Sequence, residues 1–171
     1  MKKISRFQST KLIKHFANSR ISGFAHRYDI VKTRTPIAYR GFNQVQKITE
    51  AADAAVFLRS IWPHPLDVSE CFVALALDRS NTIIGWTMIS KGGVSNCIVD
   101  IRLTAFFAVQ SLASSVILAH NHPSGQLKAS DADVDITRKV KEALAFFDIT
   151  VLDHVILTPD SCLSFTSHGI M

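Results

Sequence analysis

The chain has no apolar run approaching the roughly 20 residues that a membrane-crossing helix needs, so a spanning protein is not expected. No apolar h-region follows the first residues, so a secretory signal is not expected either. Cysteine is scarce. Cys71, Cys97 and Cys162 are odd in number and contain no C-x-x-C, which excludes a disulfide framework and a cysteine-rich metal site. Reduced thiols in a cytoplasmic protein are the expectation. Internal repeats and low-complexity segments are absent. Acidic residues are nearly missing from one region: residues 1–40 hold ten of the nineteen Lys and Arg and only one acid, Asp29.

What remains describes a folded domain with a basic extension. A hydrophobic fraction of 47% supports a substantial core, and 171 residues suit one domain. Residues 41–171 carry nine basic and thirteen acidic residues, a net of −4, so the isoelectric point near 9.3 belongs to the extension. Residues 1–38 are read as a basic, poorly ordered tail and 39–171 as the domain. Such a tail suits contact with nucleic acid or another polyanion. Its apolar residues lack sustained periodicity, so it should contribute little to the core. A truncation beginning at Tyr39 is expected to melt within a few degrees of the full chain, and a large loss of stability would show that the tail packs onto the domain.

The chemistry concentrates between His120 and Asp133, the stretch His-Asn-His-Pro-Ser-Gly-Gln-Leu-Lys-Ala-Ser-Asp-Ala-Asp. It follows the apolar run Ser115–Ala119, which reads as a buried strand. Pro123, Ser124 and Gly125 break the chain into a loop, and a helical pattern starts at Ser130. Residues i and i+2 of an extended backbone point the same way, so His120 and His122 face one point. If the loop folds back, Asp133 faces it too. Two imidazoles and a carboxylate suit Zn²⁺ and leave a fourth position open for water. Ser130-x-x-Asp133 is also a helix-capping box, with Ser130 as N-cap and Asp133 at N3. The two roles are compatible, because the cap fixes where the carboxylate points. By chance H-x-H-x7-S-x-x-D should appear on the order of 10⁻³ times in such a chain.

At His120, His122, Ser130 and Asp133 the sequence resembles the JAMM motif of the JAB/MPN metallohydrolases. The wording AHNHPSGQLKASDADVDITRKV followed by LDHVIL resembles the RadC-like branch. The likeness runs from about Tyr39 to the C-terminus. The helix-hairpin-helix region that precedes this domain in longer RadC proteins is not apparent. The resemblance implies Glu70 as general base, since a glutamate on an early strand has that task in the family. It gives Ser130 a second role as donor to the oxyanion that forms during attack. It also draws attention to Asp153-His154: a ligating histidine usually gives its other ring N–H to a carboxylate or carbonyl, which makes Asp153 a candidate support, with His154 as either a participant or a satisfied strand-edge histidine. Asp100 and Arg102 are expected to pair structurally.

Along the chain, Val45–Ile48 reads as a short strand, Thr49 as an N-cap and Ala51–Trp62 as a helix ended by Pro63 and Pro65. Glu70–Asp78 and Thr82–Ser90 form a hairpin around the turn Arg79–Asn81. Asp100–Leu112 and Asp131–Phe147 are helical, the latter with Thr137, Val140, Leu144 and Phe147 stacked below Asp133. Thr150–Leu157 and Cys162–Thr166 are strands. The mixture predicts an α/β, three-layer α-β-α arrangement with a mixed central sheet. The resemblance implies the same, in the cytidine-deaminase-like form of the JAB/MPN fold.

Three functions compete at this stage. The first is a zinc-dependent hydrolase of peptide, amide or isopeptide bonds, with a peptide or protein substrate. The second is a nucleobase deaminase, which needs H-x-E followed by P-C-x-x-C. Position 122 is His and the chain has no C-x-x-C, so this reading fails. The third is a nucleic-acid or protein binding module, of the kind a DNA-repair label suggests, with a structural metal.

Overall fold

The structure is a computed structural model that describes residues 47–93 and 97–171. The basic segment 1–38 lies outside the described residues, as do Val45 and Gln46 of the expected first strand. Helix α1 (Ala51–Ile61) precedes the hairpin of β1 (Cys71–Leu77) and β2 (Ile83–Lys91). Helix α2 (Ile101–Gln110), β3 (Ser115–Asn121), α3 (Asp131–Ala145), β4 (Thr150–Leu157) and β5 (Cys162–Ser164) follow. The five strands form one sheet in the order β2-β1-β3-β4-β5. Only β3 and β4 run parallel, joined through α3, and the other pairs are antiparallel. The sheet is mixed, as the sequence predicts.

Alternation along β1 sorts the core into two halves. Val73, Leu75 and Leu77 face α1 and pack on Ala54, Leu58 and Ile61, with Ile117, Ala119, Val155 and Leu157 from the neighbouring strands. Phe72, Ala74 and Ala76 face the opposite way, with Val116 and Leu118, against Ala108 of α2 and Val140 and Leu144 of α3. Helices on both faces make the three layers α-β-α. Strands β1 and β3 are buried throughout, which is why they read as continuous apolar runs rather than alternating ones. Each fully buried Leu there stabilises the fold by about 1.5–3 kcal/mol.

Three local expectations need correction. The N-cap of α1 is Glu50, not Thr49. Asp53 at N3 is the organising group: its Oδ2 accepts from the Thr49 N–H at 2.8 Å, the Thr49 hydroxyl at 2.6 Å and the Glu50 N–H at 3.2 Å. Helix α2 stops at Gln110 because Leu112 adopts φ 53°, a left-handed conformation that no helix continues through. Helix α3 likewise ends at Ala145, before Asp148 at φ 54°, so Phe147 leaves the buried stripe and is 54% exposed. Thr137, Val140 and Leu144 remain buried beneath Asp133. Asp100 caps α2 by accepting from the Arg102 N–H at 2.9 Å and pairs with its guanidinium at 2.7 Å. Among the described residues no helix is long and apolar enough to cross a membrane, and all three cysteines are free.

Candidate metal centre

Strand β3 runs two residues further than its apolar stretch suggests and carries His120 inside the sheet. His122 follows immediately. Its backbone N–H still bonds the Leu157 carbonyl of β4 at 2.9 Å, so the extended geometry persists. The two rings therefore lie on one side, with their Nε2 atoms 2.9 Å apart. Gly125, at φ 77°, turns the loop behind them, a conformation that favours glycine. His122 Nδ1 meets the Gln126 carbonyl at 2.8 Å. A carbonyl only accepts, so Nδ1 holds the proton and Nε2 presents its lone pair.

Asp133 enters from the first turn of α3. Its Oδ1 lies 3.3 Å from His120 Nε2 and its Oδ2 3.7 Å from His122 Nε2. The capping box is present: Oδ2 accepts from the Ser130 N–H at 2.8 Å and from the Ser130 hydroxyl at 2.6 Å, while Ser130 Oγ accepts from the Asp133 N–H at 3.2 Å. The single hydroxyl proton of Ser130 thus goes to the carboxylate and orients it. In this arrangement none is left for an oxyanion. Burial pushes the Asp133 carboxyl up, but the adjoining His120 and His122 imidazoles and the Ser130 hydroxyl outweigh it and hold the group well below the usual carboxylate range. It is an anion at any ordinary pH.

Among the described residues His120, His122 and Asp133 form the one group of three donors able to hold a metal ion. The spacing fits. Tetrahedral ligands at about 2.0–2.1 Å from an ion lie about 3.3–3.4 Å from each other, and the observed separations of 2.9, 3.3 and 3.7 Å bracket that value.

Glu70 stands at the head of β1, and its backbone extends the hairpin ladder through Gly92 and Gly93. It lines the same cavity of about 440 Å³ as His120, His122, Ser130 and Asp133. Burial raises its carboxyl above the ordinary range, and His120 and His122 pull against that shift. A carboxyl displaced towards neutrality beside a metal site suits proton transfer. Phe72, Val99 and Ile136 supply apolar wall, and Lys128 stands at the rim.

The residue behind His120 is His154, not Asp153. His154 Nε2 lies 2.8 Å from His120 Nδ1, and the ring is fully buried between Phe72 and Phe165. Asp153 points to the other face of β4, as alternation requires. Its oxygens accept from the Ser164 hydroxyl at 2.6 Å and the Thr166 N–H at 3.0 Å, and so tie the end of β5 to β4.

A RadC-like JAB domain model matches residues 48–170, nearly all of the described chain. The chain belongs to the RadC-like JAB domain family. A UPF0758 protein of Flavobacterium johnsoniae is 40% identical over 130 residues, covering 74% of this chain and 55% of that protein. A UPF0758 protein of Porphyromonas gingivalis is 37% identical over 121 residues, 70% of this chain and 53% of its own. The chain spans about half the length of the curated relatives it matches.

One residue of this RadC-like JAB domain escaped the sequence reading. Asn121, between the two histidines, is fully buried, and its amide points to the opposite side from theirs. Its Oδ1 accepts from the Cys71 N–H at 2.8 Å, and its Nδ2 donates to the carbonyls of Leu66 and Ser69 at 2.7 and 2.9 Å. The bonds to Ser69 and Cys71 hold both neighbours of Glu70. A side chain offering one acceptor and two donors at this length is what the three partners require. Asn121→Ala is expected to lower stability by about 2–4 kcal/mol, because each buried partner left unpaired costs roughly 1–3 kcal/mol. Urea unfolding measures this, and a change below the fitting error would show that water replaces the amide.

Proposed function

We propose that this domain is a zinc-dependent hydrolase of the JAMM type that cleaves an amide, peptide or isopeptide bond. The observation that carries the reading is the convergence of His120, His122 and Asp133 on one point in a cavity that also holds Glu70. Two imidazole nitrogens and one carboxylate match the donor set of catalytic rather than structural zinc, which keeps a position for water. Zinc bound there would lower the pKa of a coordinated water to about 7 and polarise the scissile carbonyl.

The chain's own residues supply the rest. The Glu70 carboxylate takes the proton of the attacking water and delivers it to the leaving nitrogen, and its raised affinity for a proton serves both halves of that transfer. Ser130 holds Asp133 in its ligating orientation. Phe72, Val99 and Ile136 exclude water from one side of the cleft. The test is a panel of peptide and isopeptide substrates assayed with zinc-loaded protein, with and without chelator. Cleavage that chelator abolishes and zinc restores supports the reading. No cleavage by fully loaded protein across the panel counts against a peptidase.

The basic segment supports a second role compatible with the first. Ten cations and one acid in residues 1–40 suit contact with a phosphate backbone. A DNA shift assay across a salt series, with and without residues 1–38, tests it. Binding that survives the truncation would remove the segment from the argument.

A further inference from the structure

Behind the ligand histidine lies a chain of three hydrogen-bonding groups whose protons can be counted. His120 Nδ1 meets His154 Nε2 at 2.8 Å. His154 Nδ1 meets Thr137 Oγ1 at 2.5 Å. Thr137 Oγ1 in turn meets the backbone carbonyl of Asp133, one helical turn back, at 2.5 Å. A carbonyl only accepts and a hydroxyl has one proton, so that proton lies on the Asp133 carbonyl. Towards His154 the hydroxyl must then accept, which places a proton on His154 Nδ1. Two imidazole nitrogens facing each other share one proton. If His154 is neutral and protonated at Nδ1, its Nε2 is a lone pair, and His120 Nδ1 must be the donor. In a neutral His120 ring the lone pair would then lie on Nε2, the atom that faces Asp133 and His122. His154 is fully buried beside two phenylalanines, surroundings that disfavour a charged ring.

The opposite order would take from the Asp133 carbonyl the hydroxyl proton that it receives here. Were Thr137 to donate to His154, the protons would shift one place along the chain. His120 would then bear a proton on Nε2 and be unable to ligate. We propose that Thr137 and His154 are positioning residues that set the tautomer of His120, so that its Nε2 lone pair faces the metal before the metal arrives. His122 obtains the same result directly from the Gln126 carbonyl. For His120, enclosed by β4 and α3, the carbonyl is reached through two side chains. That carbonyl belongs to Asp133, so the helix turn that brings the carboxylate ligand also sets the proton on the histidine ligand.

This inference rests on the reading that the site holds a metal. The test uses the full chain with ¹⁵N-labelled histidine. In metal-free wild type, two-bond ¹H–¹⁵N correlations should show His120 protonated at Nδ1. Thr137→Val removes the hydroxyl at nearly constant shape and should populate the Nε2–H form. Its Zn²⁺ dissociation constant, from chelator competition, should rise about 10–100-fold, the usual range for loss of a group that orients a ligand. Thr137→Ser should restore both readouts, which mere packing of the threonine methyl would not predict. His154→Phe, flanked by aromatic rings, should weaken zinc to a similar degree. Metal-free His120 found in the Nε2–H form would overturn the proposal, as would zinc bound by Thr137→Val as tightly as by wild type. Should Thr137→Val not fold, the wild-type spectrum alone decides. A wild type that takes up no zinc would sink the metal reading, while the tautomer would still decide this one.

Discussion

Glu70→Gln is expected to leave zinc binding and folding intact while lowering turnover about 10²–10⁴-fold, the usual contribution of a general acid–base group. The amide matches the carboxylate in shape, and position 70 is held through main-chain groups: its own by Gly92 and Gly93, and those of its neighbours Ser69 and Cys71 by the Asn121 amide. The substitution removes a proton acceptor and no metal donor. Metal content by elemental analysis and kcat on any substrate the wild type cleaves give the two readouts. Loss of zinc would make Glu70 a ligand or a support. Full turnover with zinc retained would place the base elsewhere, although the other carboxylates considered are engaged. Asp78 accepts from the Ser80 and Thr82 N–H groups in the β1–β2 turn, at the far end of β1, and Asp153 is held by Ser164 and Thr166.

His122→Ala should have the opposite signature, taking zinc from about one per chain to nearly none. It deletes one of three protein donors, and its half-exposed position lets the loop adjust without collapse of the core. Asp133→Asn should weaken metal and rate together. The helix cap should be largely kept, because both Ser130 bonds end on Oδ2 and an amide oxygen there can accept both, while the NH2 group then replaces Oδ1 toward His120. Zinc retained at one per chain in His122→Ala would refute the ligand set. The pair of experiments separates proton transfer from metal holding, since only Glu70→Gln should lose turnover while zinc is retained.

The grouping of His120, His122 and Asp133 was legible because it is built over short sequence distances. His120 and His122 share a side by the two-residue period of a strand, and Asp133 takes its place from a capping box written in four consecutive residues. The two faces of the core were legible for the same reason, as periodicity along single elements. Contacts between elements were not. Asp153 and His154 both stood as candidates for the group behind His120, the carboxylate on chemical grounds. The pleat of β4 decides for His154, and no local pattern says which of two adjacent residues faces β3. Thr137 was seen only as one step of a buried stripe. A hydroxyl in that stripe, one turn below a ligand, was the available signal. Asn121 gave no sign at all, because its partners lie fifty and more residues earlier in the chain. Phe147 misled in the other direction: its spacing continues the stripe, but the left-handed Asp148 ends the helix first.

The Asn121 clamp divides what the protein can vary from what it cannot. Glu70 and His120 sit on strands paired with each other, and the amide between the histidines binds both strand ends into a single unit. The separation of Glu70 from His120 and His122 is therefore set by the sheet. The rest of the cleft lining comes from two connections, through Cys97 and Val99 ahead of α2 and Pro123, Ser124, Gln126 and Lys128 ahead of α3. Insertions and substitutions in such loops are tolerated far better than in strands. A descendant chain can thus reshape what enters the cleft while inheriting the reacting groups unchanged, so divergence in specificity within this lineage should be recorded in those two connections before anywhere else.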